Sequence, residues 1–191
     1  MKALILDGSR EGDSLTPVAV LGMTSALAGR GHSVELVRPR ELAIAPCTGC
    51  FGCWTRTPGE CVIMDDARDV VGSYVGSDLV VFVTPVTFGG YSSQLKKLLD
   101  RIILSVLDPR FTVVGGEVHH RLRYRRYPKT VGFGTLPSPD PDAERLFARL
   151  VARNGINVHQ HSGVEILAGV TDPVSARRSA VRLLDRAGVP A

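Results

Sequence analysis

"DLVVFVTPVTFGGYSSQLKKLLDR", residues 78–101, decides the fold. Its opening, Asp78–Thr84, is so continuously apolar that a strand made from it needs cover on both faces, the habit of a parallel sheet. Farther on, Leu95, Leu98, Leu99, Ile102, Ile103 and Val106 follow the i, i+3, i+4, i+7 rhythm of an amphipathic helix. Between the two lies a loop in which Pro85 stiffens the strand exit. Gly89 and Gly90 leave the backbone free to approach a flat ligand, and Phe88 or Tyr91 is placed to border it.

The same alternation repeats in both directions along the chain. Lys2–Leu6 and His32–Val37 read as strands, and Thr16-Pro17 suits the N-cap and first turn of a helix ending near Gly29–Gly31. Asp65-Asp66 is placed to cap a helix carrying Val70, Val71, Tyr74 and Val75. Thr130–Thr135 reads as strand four, Ala143, Leu146, Phe147, Leu150 and Val151 mark a helix, residues 157–167 contain a fifth strand, and Pro173–Ala187 closes with a helix. Five strands alternating with helices predict an α/β, doubly wound, mainly parallel sheet. Ligands of such sheets bind outside the C-terminal strand ends, which singles out the loops Gly8–Thr16, Thr84–Tyr91 and Thr135–Asp140. The first, "DGSREGDSLTP", offers N–H and O–H groups and a helix N-terminus to an anion; the bland alternative is an ordinary strand-to-helix turn. It is neither a GxGxxG nor a P-loop.

With 191 residues, 44% apolar and 22% charged, the chain is expected to form one domain over 1–191 with a sizeable core. The start, MKALILDGSR, lacks the features of a signal peptide, and no apolar run approaches the roughly 20 residues that span a bilayer, so a cytoplasmic location and no membrane partner are expected. A net charge of +4 does not by itself indicate nucleic acid, and none is expected as a partner. Two stretches exceed the alternating scheme: a cysteine-rich loop at 45–63 and an insertion at 108–129.

The cysteine stretch, "APCTGCFGCWTRTPGECVIMDDA", holds all four cysteines of the chain, Cys47, Cys50, Cys53 and Cys61, spaced C-x2-C-x2-C-x7-C. Three thiols on one tight curve and a fourth farther along resemble ferredoxin-type [4Fe–4S] ligation. A structural zinc, which usually draws two pairs from separate turns, a C-x-x-C redox pair, and four buried thiols without a metal are the competing readings. Trp54 either shields a cluster or packs. In the insertion, "GEVHHRLRYRRYPK" (116–129) is an anion clamp or a solvated contact loop. His119-His120 makes a poor metal pair, because neighbours on an extended chain point opposite ways; His159 and His161 would share a strand face yet lack a third ligand.

"GSREGDS", "CTGCFGCWTRTPGECVIMDDA" and "TPVTFGGYSSQLKKLLDR", in that order, resemble the flavodoxin-like NAD(P)H-dependent FMN reductases and, within them, the iron–sulfur flavoproteins. The resemblance implies a three-layer sandwich with strand order 2-1-3-4-5. It implies an FMN phosphate surrounded by Ser9, Arg10, Gly12, Asp13 and Ser14, and a ring held by Pro85, Val86, Thr87, Phe88, Gly89 and Gly90, with Thr135 and Leu136 closing the third side. A carboxylate at Asp13 stands where relatives more often carry a neutral residue. The resemblance further implies a flavin-dependent oxidoreductase that transfers electrons between FMN and a [4Fe–4S] cluster on the four cysteines. NAD(P)H or ferredoxin would be the donor, small molecules or proteins the partners, and a homodimer or homotetramer the assembly. No side chain is singled out as a general acid or base. The rivals are a cluster-free NAD(P)H-dependent FMN or quinone reductase with structural cysteines, and a non-enzymatic zinc module.

Overall fold

The computed structural model describes all 191 residues. Its central sheet comprises β1 (Lys2–Asp7), β2 (Ser33–Val37), β3 (Leu79–Pro85), β6 (Lys129–Leu136) and β7 (Gly163–Ala168), all parallel, in the order β2-β1-β3-β6-β7. That is the predicted 2-1-3-4-5 arrangement once strands outside the sheet are discounted. The connecting helices are α1 (Thr16–Ala28), α3 (Ala67–Val75), α4 (Ser93–Val106), α5 (Pro141–Asn157) and α6 (Pro173–Arg186), and a four-residue helix, α2 (Gly52–Thr55), lies in the cysteine loop.

The continuously apolar β3 is buried along its whole length. Leu79, Val81 and Val83 face one core, with Met23 and Leu27 of α1 and Ala180 and Leu183 of α6. Val80 and Phe82 face the other, with Tyr74 of α3, Leu95, Leu98 and Ile102 of α4, and Phe147 and Val151 of α5. Period-two alternation on a strand thus feeds two helical layers at once, the physical content of a three-layer sandwich. At Gly22 a Cβ would come 2.7 Å from the backbone of Ala176 and Arg177, so glycine lets α1 and α6 lie almost in backbone contact.

The insertion at 108–129 has regular structure of its own: β4 (Leu107–Val114) and β5 (Glu117–Leu122) pair antiparallel as a separate hairpin. Two local expectations need correction. α5 runs to Asn157 and β7 begins only at Gly163, so His159 and His161 sit in the intervening turn, with His159 at a φ of 56°, and share no strand face. The α1 N-terminus is capped by Asp13, whose Oδ1 accepts the Leu15 and Thr16 N–H groups at 3.0 Å each, while the Thr16 hydroxyl turns to Thr135. No helix is long and apolar enough to cross a membrane.

Candidate functional site: three strand-end loops and a cysteine loop

The three loops singled out by topology are joined to one another. Gly8 N–H donates to Val83 O (2.7 Å), and the Ser92 hydroxyl donates to Gly8 O (2.6 Å), fastening the first loop to the second. Ser92 N–H donates in turn to the Thr84 hydroxyl (3.0 Å), and Ser92 Oγ caps α4 by accepting from Leu95 N–H. Val86 N–H donates to Thr135 O (2.9 Å), fastening the second loop to β6, and the Thr16 and Thr135 hydroxyls meet at 2.9 Å, closing the ring between first and third. These are buried polar groups with partners, so the edge is fixed before any ligand arrives.

Within the first loop Ser9 is fully buried and Asp13 half-buried, while Arg10, Gly12 and Ser14 are exposed. The Ser9 N–H is taken by Asp7 Oδ1 (2.9 Å), and the Ser9 hydroxyl accepts from Arg40 Nη1 (3.0 Å). Arg38 Nε lies 3.4 Å from Asp7 Oδ2. Both arginines come from the turn after β2, and the reading of the sequence missed them. The pair in "VRPRE" follows the strand that lies next to β1, which was the available signal. Asp13 Oδ2 is buried without a partner.

The second loop is a tight reversal. Thr87 and Gly90 exchange both backbone hydrogen bonds at 2.9 Å, and the intervening Phe88 and Gly89 have φ of 50° and 72°. Two left-handed central residues are the signature of a type I′ turn, which glycine adopts freely and phenylalanine only under strain. Phe88 is 100% exposed at its tip. Tyr91 is not placed to border a ligand: it is buried against Phe82 and Phe147, receives a hydrogen bond from Asn154 Nδ2, and has its phenol pushed up to about 12 by burial. Pro85 is buried and Val86 and Thr87 half-buried; Thr87 Oγ1 is buried with no partner. Thr135 and Leu136 are buried at the end of β6. A Cβ at Gly89 would come 2.3 Å from Leu146 Cδ2, so this glycine lets the turn lie against α5. Ser9 is thus already engaged, Asp13 Oδ1 takes the Leu15 and Thr16 N–H groups, and Arg10 and Ser14 are the exposed side chains of the first loop.

The four thiols are outside the sheet. Cys53 is buried on α2, Cys47 and Cys61 are half-buried, and Cys50 is exposed; all four are free. Gly49 N–H points at Cys47 Sγ and Ile63 N–H at Cys61 Sγ, each at 3.5 Å, and the chain turns sharply at Phe51 (φ 52°). A Cβ at Gly52 would come 2.5 Å from Val62 Cγ1, so the two limbs of the loop touch. Burial pushes the Cys53 thiol up, and the neighbouring Cys61, Cys47 and Cys50 push it the same way. The Gly52 N–H, then the Thr48 hydroxyl, pull Cys50 down. The donors therefore suit a soft metal centre in kind, and backbone N–H···S bonds are already in place. They are not, however, drawn into one ligating shell: no three His, Cys, Asp or Glu side chains are grouped closely enough to hold a metal ion. A cavity of about 810 Å³ opens behind this loop, not at the strand ends, and includes Cys61, Asp65, Arg68, Arg101 and Tyr124 in its wall.

Residues 1–121 match the family described as NADPH-dependent FMN reductase. The chain belongs to that family. The match spans the first two strand-end loops and the cysteine loop. Over 101 residues the chain is 33% identical to a protein named iron–sulfur flavoprotein from Methanocaldococcus jannaschii, covering 53% of this chain and 51% of that one. A protein of the same name from Methanosarcina thermophila is 35% identical over 75 residues, 39% of this chain and 38% of that one. The chain thus spans about half the length, or less, of these curated relatives. Among solved structures, an NAD(P)H:quinone oxidoreductase from Methanothermobacter marburgensis superposes with a TM-score of 0.65 at 18% identity, over 98% of this chain and 94% of that one. An FMN-dependent NADH-azoreductase from Bacillus anthracis, in complex with FMN, superposes with a TM-score of 0.65 at 12% identity, over 98% and 97%. At those identities the family's fold is what the superpositions establish.

Proposed function

We propose that this member of the FMN reductase family binds FMN at the C-terminal edge of β1, β3 and β6 and acts as a flavin-dependent oxidoreductase. NAD(P)H, or another small-molecule or protein electron carrier, would be the donor. The observation that carries the reading is the hydrogen-bonded ring that gathers three loops at one end of the sheet, with the Thr87 hydroxyl left without a partner. Bound FMN would supply the exchange of both electron pairs and single electrons. The residues bind and orient: Ser9, Arg10, Gly12 and Ser14 lie on the phosphate side with Arg40 reaching Ser9. On the ring side, the backbone from Pro85 to Gly90 would meet the polar edge, and Thr135 and Leu136 would close the far wall. No acid or base is required of the protein.

The finer reading adds a [4Fe–4S] cluster held by Cys47, Cys50, Cys53 and Cys61, supported by the order and spacing of the thiols, their N–H···S bonds and the names of the curated relatives. Such a cluster supplies one-electron transfer. A second reading, a cluster-free reductase whose cysteines are structural, is favoured by the ungrouped sulfurs.

Anaerobic purification with cofactor analysis separates the two. The cluster reading expects about one FMN with about four iron and four sulfide per chain. FMN without iron selects the second reading, and a colourless protein that takes up no FMN removes both. Cys50→Ser should abolish the brown cluster absorption and leave FMN bound.

A further inference from the structure

Helix α4 carries an arginine among its buried residues. Arg101 is 2% exposed, one residue before Ile102 and three after Leu98. A guanidinium in such surroundings needs partners for its donors; both Nη groups have them, and Nε is left buried without one. Its Nη1 donates to Ala45 O and to Asp65 Oδ2, both at 2.8 Å. Its Nη2 donates to Asp65 Oδ1 (2.9 Å) and to Ile63 O (3.3 Å). Those carbonyls belong to the two limbs of the cysteine loop: Ala45 stands two residues before Cys47, and Ile63 two residues after Cys61. Asp65 reinforces the closure by accepting the Ala45 N–H (2.9 Å) and the Ala67 N–H (3.1 Å). Next to it, Asp66 Oδ2 accepts the Ala43 N–H (2.7 Å). The mouth of the loop is therefore drawn shut across one side chain of a neighbouring helix.

We propose that Arg101, with Asp65 as its counter-ion, is the positioning residue of the cysteine loop: it fixes the separation of the limbs entering Cys47 and leaving Cys61. The proposal rests on the reading of the four cysteines as one functional group, but it concerns loop geometry and holds with or without a metal. A fork is required. Four bonds in two directions suit a planar guanidinium, and the point charge of lysine cannot reproduce them.

Trp54, the only tryptophan of the chain, reports on the loop directly. It lies on α2 and its Nε1 donates to Leu104 O of α4 at 2.7 Å. Cys53, 7% exposed, is the thiol that the closed loop protects. The test compares wild type with Arg101→Lys, Arg101→Gln and the double variant Arg101→Met/Asp65→Leu, which removes both charges and leaves neither buried alone. In metal-free protein all three variants should alkylate Cys53 with iodoacetamide at least about tenfold faster and show red-shifted Trp54 emission. The expected shift corresponds to a loop-opening equilibrium changed about tenfold, each factor of ten being about 1.4 kcal/mol. FMN binding should stay within about twofold of wild type, since no bond of Arg101 reaches the strand-end loops. Anaerobic reconstitution should load less iron in the same variants. Protected Cys53 and unchanged Trp54 emission in Arg101→Lys and the double variant would overturn the proposal. If Arg101→Gln loses its far-ultraviolet dichroism, the double variant decides alone. Failure of wild type to bind FMN would strike the proposed function and leave this inference standing.

Discussion

At the strand ends each loop takes its position from the sheet. Gly8 is bonded to Val83, Val86 to Thr135, and Thr16 to Thr135, so parallel neighbours hold the loops through the strands that precede them. The cysteine loop has no strand beneath it. It leaves the turn after β2, closes on itself between Ala43–Ala45 and Asp65–Asp66, and is held to α4 by Arg101 and Trp54. The hairpin covers its other side: Trp54 packs at a tilt on His120 (4.7 Å between ring centres), which packs at a tilt on Phe111 (4.8 Å), and Arg123 ties the hairpin base to Ser105 O and Leu107 O. One site is thus held by backbone and hydroxyl bonds shared among three strands and their loops, whereas the other depends on a few side chains. The difference predicts how each fails.

The largest effect is expected where support is concentrated. Asp65→Ala leaves the Arg101 guanidinium buried without its counter-ion, which should cost about 3–5 kcal/mol in a urea denaturation. A loss below about 1 kcal/mol would mean that the loop has other anchors and that the contrast is overstated. At the strand ends, Ser92→Ala removes the α4 cap and leaves Gly8 O without its side-chain donor, for an expected loss of about 1–3 kcal/mol. FMN affinity should fall along with stability in that variant. Gly89→Val forces a β-branched residue into the left-handed region, where its Cβ would overlap the Leu146 side chain. We expect FMN to bind at least tenfold more weakly, about 1.4 kcal/mol, with iron content unchanged. Wild-type flavin affinity in Gly89→Val would show that this turn does not face the ring.

The smallest effect concerns the hairpin's tie to α5. Arg153, and then His119, hold the Glu117 carboxyl at about 2, below its ordinary 4.5. Its folded-state value is depressed, so the stabilisation is complete above the unfolded value and is lost as pH falls from about 4.5 through about 2. The group is solvent-exposed, which keeps the effect small. Urea midpoints measured at pH 6 and pH 3 should therefore converge slightly in Glu117→Gln relative to wild type; an unchanged difference removes Glu117 from the account.

Both helical layers and the three strand-end loops were legible because each rests on a local pattern: the unbroken apolar run of β3, the stripe of α4, and Gly89-Gly90 after Pro85. The strand order followed only from the family resemblance. The hairpin was not legible, because β4 and β5 bury little; Val113 and Val118 are exposed, so the alternation that marks a half-buried strand is faint. Arg101 was passed over since its neighbours Ile102 and Leu98 already explained the helix, and a charge among such residues is meaningful only once Ala45, Ile63 and Asp65 are seen beside it. Arg40 has the same history: its partner, Ser9, is 31 residues away in sequence and adjacent only in the parallel pairing of β1 with β2. In the sequence Asp13 reads only as a charge in a loop; its hold on the Leu15 and Thr16 N–H groups at the start of α1 is visible only in the geometry.

The most direct measurement is a titration of the flavin-free protein with FMN and, separately, with riboflavin, which lacks the phosphate. If the strand-end loops hold the ring while Ser9 and its neighbours hold the phosphate, FMN binds at about one per chain, and riboflavin binds at least tenfold more weakly, about 1.4 kcal/mol. Equal affinity for the two flavins, or no binding of either, would contradict the assignment of these loops.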